Sequence, residues 1–588
     1  NYRLYLLDGK CVGIAGISEE EALVDNTYIK SVEEGTLTFL SGGAEYEIPV
    51  DVSEKDVTEG VADLIFSDGK LQIVRKKEQE IGGKLLSYDE SAIEIEGYGR
   101  ISHTGKIPVY ELLDGETVTE SSISKVVLGN MEVSYVIGEE EVCAILIRTP
   151  AVIENIRVLL LADDGGKFRS AVYLKADTDA RIRFGGNESD YAAGTLLDVS
   201  TWFTECNDTF SIQPVTENGK IFLCDEVGNT ISNGYPGSAE VRRYEEGYTV
   251  VNSVPFETYL TAVVPSEMPS TYEKEALKAQ AVCARSYAYI QLMRADLAAF
   301  GAHINDSTSY QVYNKAEAGE ASRQAVEETK HEVMTYADEV IEAYYFSTSM
   351  GYTDTAEVWN PEEMDHYGYL KKVCLNTPET DLDLSDEKTF SDYIRTPHTG
   401  FDSEIKYYRW TAQADFHGKE DEIRQILENR HSISPRNVIY YESDGKNETD
   451  SMADFGMLEG IEVEKRSTSG SILTLRLSYE HGMVKVFSEY NIRKVIGLGV
   501  TNITYQDGSE STGGTILPGA AVSLVKEADN VYTLYGGGYG HGLGMSQNGA
   551  NGLAKTGMTY KDILNFFYKD ISITSLTEKS EFANQDDE

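Results

Sequence analysis

The chain has 588 residues, with 98 acidic against 51 basic side chains and a formal charge of −47. That length exceeds a single hydrophobic core and predicts about three or four domains. The charge excludes nucleic acid as a partner, because binding it needs a basic footprint, and suits a secreted, highly soluble protein.

No apolar run is long enough to span a bilayer, and neither an initiator Met nor a signal peptide is present. The expected form is therefore a trimmed mature chain working outside the cell or in its envelope. The six cysteines include no C-x-x-C pair, which removes zinc-ribbon and thioredoxin readings. Cys206 and Cys224 are spaced to bridge a hairpin. The rest read as small buried residues, Cys283 among them, since it falls on the apolar side of a helix.

Residues 1–78 and 79–149 read as two β-rich repeat modules, the first cut short at its N-terminus. GVADLIFSDGKLQIV, starting at Gly60, resembles NMEVSYVIGEEEVCAILI, which comes after Gly129. Each predicts strand, polar turn, strand. Units this short are expected to share a core with their neighbours. They carry no acid pair, metal spacing or nucleophile motif, and read as a stalk or as a wall- or partner-binding module. Residues 150–258 are again strand-rich and would scaffold the helical segment after them.

The segment from Val263 to Arg294 is the most strongly helical in the chain. Glu267 stands just before Met268-Pro269, and proline disfavours the helical conformation in the residue ahead of it. Ser270 and Glu273 form the pattern of a capping box, so a helix is expected from about Thr271. Its apolar side is marked by Leu277, Val282, Cys283, Tyr287, Ile290 and Leu292. Glu267 is thus expected on the lead-in to a buried helix, near its positive N-terminal end.

Val264-Pro265-x-Glu267-Met268-Pro269, then Ala276-Leu277-Lys278-Ala279-Gln280-Ala281-Val282-x-Ala284-Arg285-x-Tyr287-Ala288, resembles the signature of the sporulation stage II protein D family (SpoIID/LytB). The resemblance covers about 156 to 575 and implies an α+β architecture. The β-rich modules read from the repeats precede a mixed catalytic domain at 150–576, with an insertion near 374–455, and the acidic composition of 577–588 predicts a disordered tail. Enzymatically active members are lytic transglycosylases of the cell wall. The resemblance therefore implies Glu267 as the acid and peptidoglycan glycan strands as substrate, in their peptide-stripped form. Lys278, Gln280, Arg285 and Tyr287 are implied on the substrate side, with Lys278 and Arg285 serving either glycan contacts or structural ion pairs.

The loop HINDSTSYQVYN comes after this helix. Some family members hold zinc there through a His, a Cys six residues on and another Cys six beyond that. Here His303 is succeeded by Ser309 and Lys315 at those positions, so neither a metal nor another cofactor is expected. Ser307, Gln311 and Tyr313 match the loop pattern and are expected in the cleft. A helix is expected over 321–330, then a buried strand over 340–346 ending in Ser347-Thr348-Ser349-Met350-Gly351. Hydroxyls beside a glycine suit close approach of a polar ligand. Met350 stands where the family usually has the first of two glycines, which leaves the loop's backbone shape open.

The second diagnostic block is YGGGYGHGLGMSQNGANGLAKTG, from Tyr535. It lacks the Gly-Lys-Ser/Thr ending of a phosphate-binding loop and resembles the C-terminal signature of the same family. His541, Ser546 and Gln547 are expected to face a glycan or orient Glu267. The alternative for His541 is a packing histidine bonded to a carbonyl. A rival reading of the whole chain is a non-catalytic modifier that enhances a cell-wall amidase, which would then be its partner.

Overall fold

In the computed structural model the described residues are 2–576, apart from 8–9, 17–20, 51–56, 68–69, 104, 114–116, 205–207, 318, 360–363, 365 and 444. The tail expected from 577 and Cys206, the other half of the hairpin spacing, fall outside them, while Cys224 is a buried free thiol. Two compact units divide the chain. One holds residues up to 267 together with 288–317, and the other holds 268–287 and 318–574. Secondary structure is of the mixed α+β kind.

In the first unit the two repeated stretches form matching antiparallel hairpins, Gly60–Ser67 with Lys70–Lys76 and Glu132–Gly138 with Glu141–Ile147. Their apolar runs are continuous rather than alternating because Gly60–Ser67 and Glu141–Ile147 are buried on both faces. Tyr28, Leu40 and Val61 of the first hairpin region pack against Tyr110, Val136, Ala144 and Leu146 of the second, giving the two a shared core.

A seven-stranded sheet comes next. At its centre Ser238–Tyr244 pairs with Gly247–Pro255, which pairs in turn with Asn155–Leu159. Helix α1, Phe256–Glu267, leaves the end of Gly247–Pro255 directly. Its apolar residues Phe256, Tyr259, Leu260, Val263 and Val264 recur at helical spacing and are all buried. The expected lead-in turn is therefore wrong: Glu267 is the last residue of a helix, at its negative C-terminal end. Pro265 sits in the final turn, where losing one N–H removes one bond without breaking the helix.

Helix α2 runs from Lys274 to Arg294, a turn later than the capping pattern suggests. Ser270 Oγ bonds Ser322 Oγ at 2.7 Å, and the Glu273 N–H donates to Asn551 Oδ1 at 2.9 Å, so neither residue closes the expected box.

The second unit contains a five-stranded sheet in which Trp410–Asp415 lies between Val500–Tyr505 and Val531–Gly536. Strand Trp410–Asp415 belongs to the stretch expected as an insertion, and here it pairs with strands from both sides of 500–536. A second five-stranded sheet contains the hairpin Leu458–Arg466 with Ile472–Tyr479. Helices α3 (Glu320–Glu328), α4 (Glu387–Arg395), α5 (Glu420–Ile433), α6 (Glu489–Gly497), α7 (Gln547–Lys555) and α8 (Tyr560–Phe567) complete it. The strand expected over 340–346 shrinks to two short pieces, Glu339–Val340 and Tyr345–Phe346. The second of these pairs in parallel with Met545–Ser546, which brings the Ser-Thr-Ser stretch and the glycine-rich block together.

Candidate functional site

In the first unit the candidate acid is fixed by the loop behind it. The backbone N–H of Val312 donates to Glu267 Oε1 at 2.6 Å, and Glu267 is half-buried. Several bonds hold the loop in turn. Ser266 Oγ accepts from the N–H groups of Lys315 and Ala316, at 3.0 and 3.3 Å. Tyr259 on α1 donates its hydroxyl to Gln311 Oε1 at 3.0 Å, and Tyr313 donates to Asn252 Oδ1 at 2.8 Å. The Tyr259 and Tyr313 rings lie 5.0 Å apart. Ser307 Oγ donates to its neighbour Asn305 Oδ1 at 2.6 Å and stays half-buried. Gln311 and Tyr313 are buried, so they brace the wall that carries Val312 rather than line an open surface.

His303 belongs to the same frame. The N–H of Arg157 donates to its Nδ1 at 3.0 Å, so the proton is on Nε2, which donates to the Leu128 carbonyl at 3.1 Å. Burial, helped by the Arg157 charge, lowers its pKa to about 3. Both ring nitrogens are occupied by backbone. Among the described residues no group of three or more metal-ligating side chains occurs.

The second unit gathers the remaining candidates around two carboxylates that nothing in the sequence singles out. Asp402 is buried and accepts three bonds: from Ser349 N at 2.7 Å, Ser349 Oγ at 3.0 Å and Ser546 Oγ at 2.8 Å. Burial raises its pKa, against the pull of those donors. Ser546 also caps α7 by accepting from the Gly549 N–H. Asn548 joins α7 to the same loop, donating to Thr348 Oγ1 and to the Ser347 carbonyl, each at 3.0 Å. Thr348, Ser349 and Ser546 are buried, so their hydroxyls build the frame, and only Ser347 of this set is half-buried. Met350 is accommodated because the left-handed step falls on Gly351, at φ +112°, while Met350 packs into the core with Phe390 and Tyr393.

Asp354 is the second carboxylate. It accepts from Ser467 Oγ at 2.6 Å, and its own N–H donates to the Gly542 carbonyl at 2.8 Å. Burial raises its pKa to about 6, opposed by the Ser467 and Ser471 hydroxyls. His541 in the same segment is a packing histidine. The Leu543 N–H donates to Nδ1 at 3.1 Å, and Nε2 donates to the Tyr345 carbonyl at 2.9 Å. Its ring sits against Trp359 at 5.2 Å and Phe346 at 5.7 Å, and burial lowers its pKa to about 4. Neither nitrogen is left to present to a glycan, which corrects that expectation.

The α2 residues divide similarly. Lys278 pairs with Glu328 at 2.8 Å and Glu275 at 3.2 Å, which decides for structural ion pairs. Arg285 is fully buried and donates to the carbonyls of Glu332 and Val326, so it does not reach a ligand. Tyr287 is half-buried, its ring 5.9 Å from Tyr344. Gln280 and Gln547 are buried together, Gln547 Nε2 lying 3.4 Å from Gln280 Oε1, and Gln280 Nε2 has no hydrogen-bond partner among the described residues. Cys283 is buried against Met545 and the Tyr568 hydroxyl, and its thiol pKa is pushed up to about 12, which makes it a core residue.

Residues 244–336 match the family described as stage II sporulation protein (SpoIID). They contain α1, Glu267, α2 and the Val312 loop. The chain carries a SpoIID domain over these residues. Residues 353–544 match a domain of unknown function, DUF8618, which takes in Asp354, Asp402 and His541. A Bacillus subtilis (strain 168) protein named amidase enhancer is 28% identical over 323 residues, which is 54% of this chain and 40% of that protein's length. Stage II sporulation protein D of the same organism is 27% identical over 357 residues, 58% of this chain and 80% of the relative. Stage II sporulation protein D of Bacillus amyloliquefaciens is 26% identical over 343 residues, 55% of this chain and 75% of the relative.

Proposed function

We propose that this SpoIID-domain protein is a cell-wall lytic transglycosylase that acts outside the cytoplasm on peptide-stripped glycan strands. The observation that carries the proposal is the setting of Glu267: half-buried, at a helix C-terminus, with Oε1 held by the Val312 N–H. The Val312 N–H fixes the orientation of the carboxyl, as a positioned general acid requires. The acid gives that proton to the glycosidic oxygen between N-acetylmuramic acid and N-acetylglucosamine as the C1–O bond breaks. The muramic acid 6-hydroxyl then attacks C1 and returns its proton to Glu267. No water is consumed, the product is a 1,6-anhydro end, and one carboxyl serves both steps, unlike the paired carboxyls of hydrolytic glycosidases.

The test uses purified protein and Glu267→Gln on intact sacculi and on sacculi stripped of stem peptides. Mass spectrometry should find 1,6-anhydromuramyl ends with the parent only. Reducing ends would make the enzyme a hydrolase and require a second carboxylate. The relative named amidase enhancer favours a second reading, in which the protein binds glycan and stimulates an amidase without cutting. In that case neither kind of end appears, and added amidase is accelerated equally by parent and Glu267→Gln.

A further inference from the structure

A cleft in the first unit, not lined by Glu267, lies between strands of 79–149 and the face of the seven-stranded sheet that contains Asn155–Leu159. Its volume is about 690 Å³. The floor is rigid and charged but internally neutralised. Arg157 makes a two-pronged pair with Glu240, at 2.9 and 2.5 Å, and Arg242 bridges Glu240 and Glu94 at 2.6 and 2.8 Å. All four side chains are buried, and Arg157, Glu240 and Glu94 line the cleft. Such a network fixes the position of the walls, because removing any one partner leaves a charge buried alone.

The rim is of a different kind. Tyr98 lines the cleft with 55% of its surface exposed, on a turn between two left-handed glycines, Gly97 and Gly99. Gln213 and Asn187, both exposed, also line the cleft, the Asn187 amide N–H donating to the Gly185 carbonyl at 3.1 Å. The rim cations Lys84, Arg181 and Arg183 are matched by Glu154, Glu188 and Asp190, and Glu96 and Asp208 also line the cleft, so it has no surplus positive charge for a phosphate or a carboxylate-rich peptide. An open aromatic face with amides, hydroxyls and carboxylates around it, on a preorganised floor and without surplus positive charge, suits an uncharged ligand with a flat apolar face and many hydrogen-bonding groups.

We propose that this cleft is a second, non-catalytic binding site for a neutral glycan of N-acetylated sugars. Tyr98 stacks on a sugar ring, and Gln213 and Asn187 read hydroxyl or acetamido groups. Such a site would raise the local concentration of that uncharged glycan at the chain by the ordinary arithmetic of linked sites. It is separate from Glu267 and stands whether or not the chain cuts glycan.

The test is binding, not cleavage. A hexamer of N-acetylglucosamine is titrated into the full chain carrying Glu267→Gln, by calorimetry, alone and with Tyr98→Ala or Gln213→Ala added. Hydrogen exchange maps the footprint. Both added changes are at exposed positions, and their unfolding curves should overlay the parent's. Saturable binding is expected, with protection over 94–99 and 181–188 and at least a tenfold weaker Kd in Tyr98→Ala. The proposal is overturned if the hexamer does not bind at millimolar concentration, if both variants bind like the parent, or if protection falls only around Glu267.

Discussion

Replacing Asp354 by Asn should make the second unit more stable at neutral pH and leave it almost unchanged in acid. The buried carboxyl has a pKa of about 6, raised from its ordinary value of 3.8 mainly by burial. A group whose folded pKa is raised holds its proton more tightly in the folded than in the unfolded chain. Its favourable contribution is complete below about pH 4 and is lost as pH rises through 6. At about 1.4 kcal/mol for each pH unit, the interval amounts to roughly 3 kcal/mol. Asn keeps the shape of the neutral acid: its oxygen accepts from Ser467 Oγ, and its amide can donate to the Ser471 hydroxyl. It cannot ionise. Urea unfolding followed by tryptophan fluorescence suits the measurement, since Trp359 and Trp410 report on this unit. Run at pH 4.5, 6 and 7.5, the variant should gain on the parent by roughly 2 kcal/mol across the series, the first ~1 kcal/mol having been lost by pH 4.5, read by midpoint shift at constant m-value. Parallel midpoints at all three pH values would refute the reasoning, because burial of Asp354 would then carry no electrostatic cost.

Asp402→Ala should remove the common acceptor of Ser349 N, Ser349 Oγ and Ser546 Oγ and destabilise the second unit by about 3–6 kcal/mol, read from the same urea curves. Glu240→Gln should cost the first unit about 3–5 kcal/mol, because Arg157 and Arg242 then share a buried site without a full counter-charge. The readout is the unfolding transition reported by Trp202. Gly544→Ala should abolish soluble, folded second unit, since an added Cβ would lie 2.0 Å from the Tyr344 carbonyl oxygen at a φ of +73°. Proteolysis and circular dichroism would show it, and a stable, folded Ala variant would contradict the packing.

Much of the α-helical organisation is legible in the chain, because apolar spacing and caps are local signals. Helices α3, α5 and α8 are such cases, each with its buried residues on one side, whereas α2 is buried nearly all round from Ala276 to Ser286, Lys278 apart. Helix α1 carries two conflicting signals. Phe256, Tyr259, Leu260, Val263 and Val264 have helical spacing, but Pro255 and Pro265 bracket them, and Pro269 lies just beyond Glu267. The tendency of proline to repel its predecessor from the helix argues for a turn there, and in the fold the periodicity wins. The capping-box pattern at Ser270 fails for a non-local reason: Ser322 and Asn551 compete for the groups that would have closed it. Asp354 and Asp402 are illegible in sequence. Each lies among ordinary polar residues, and only the pairing of Tyr345–Phe346 with Met545–Ser546 reveals what they hold.

The same pairing changes what the two signature blocks mean. A motif residue can act on a ligand or on the chain, and the destination of its hydrogen bonds separates the two roles. Around Glu267, the side chains of Tyr259, Gln311, Tyr313 and Ser266 bond inward, and together they place one backbone N–H against one carboxylate oxygen. Around the glycines, His541, Ser349 and Ser546 also bond inward, to Tyr345, Asp402 and the start of α7. A signature rich in hydroxyls, an imidazole and glycines therefore reads as a binding surface in sequence and works as a scaffold in the fold. Buried polar networks require every member to be satisfied, so a frame of this kind demands specific residues as strictly as a reaction does. Of the residues the signatures nominate for chemistry, Glu267 is the carboxyl, held by the Val312 N–H, and its substitution is the decisive experiment on the reaction.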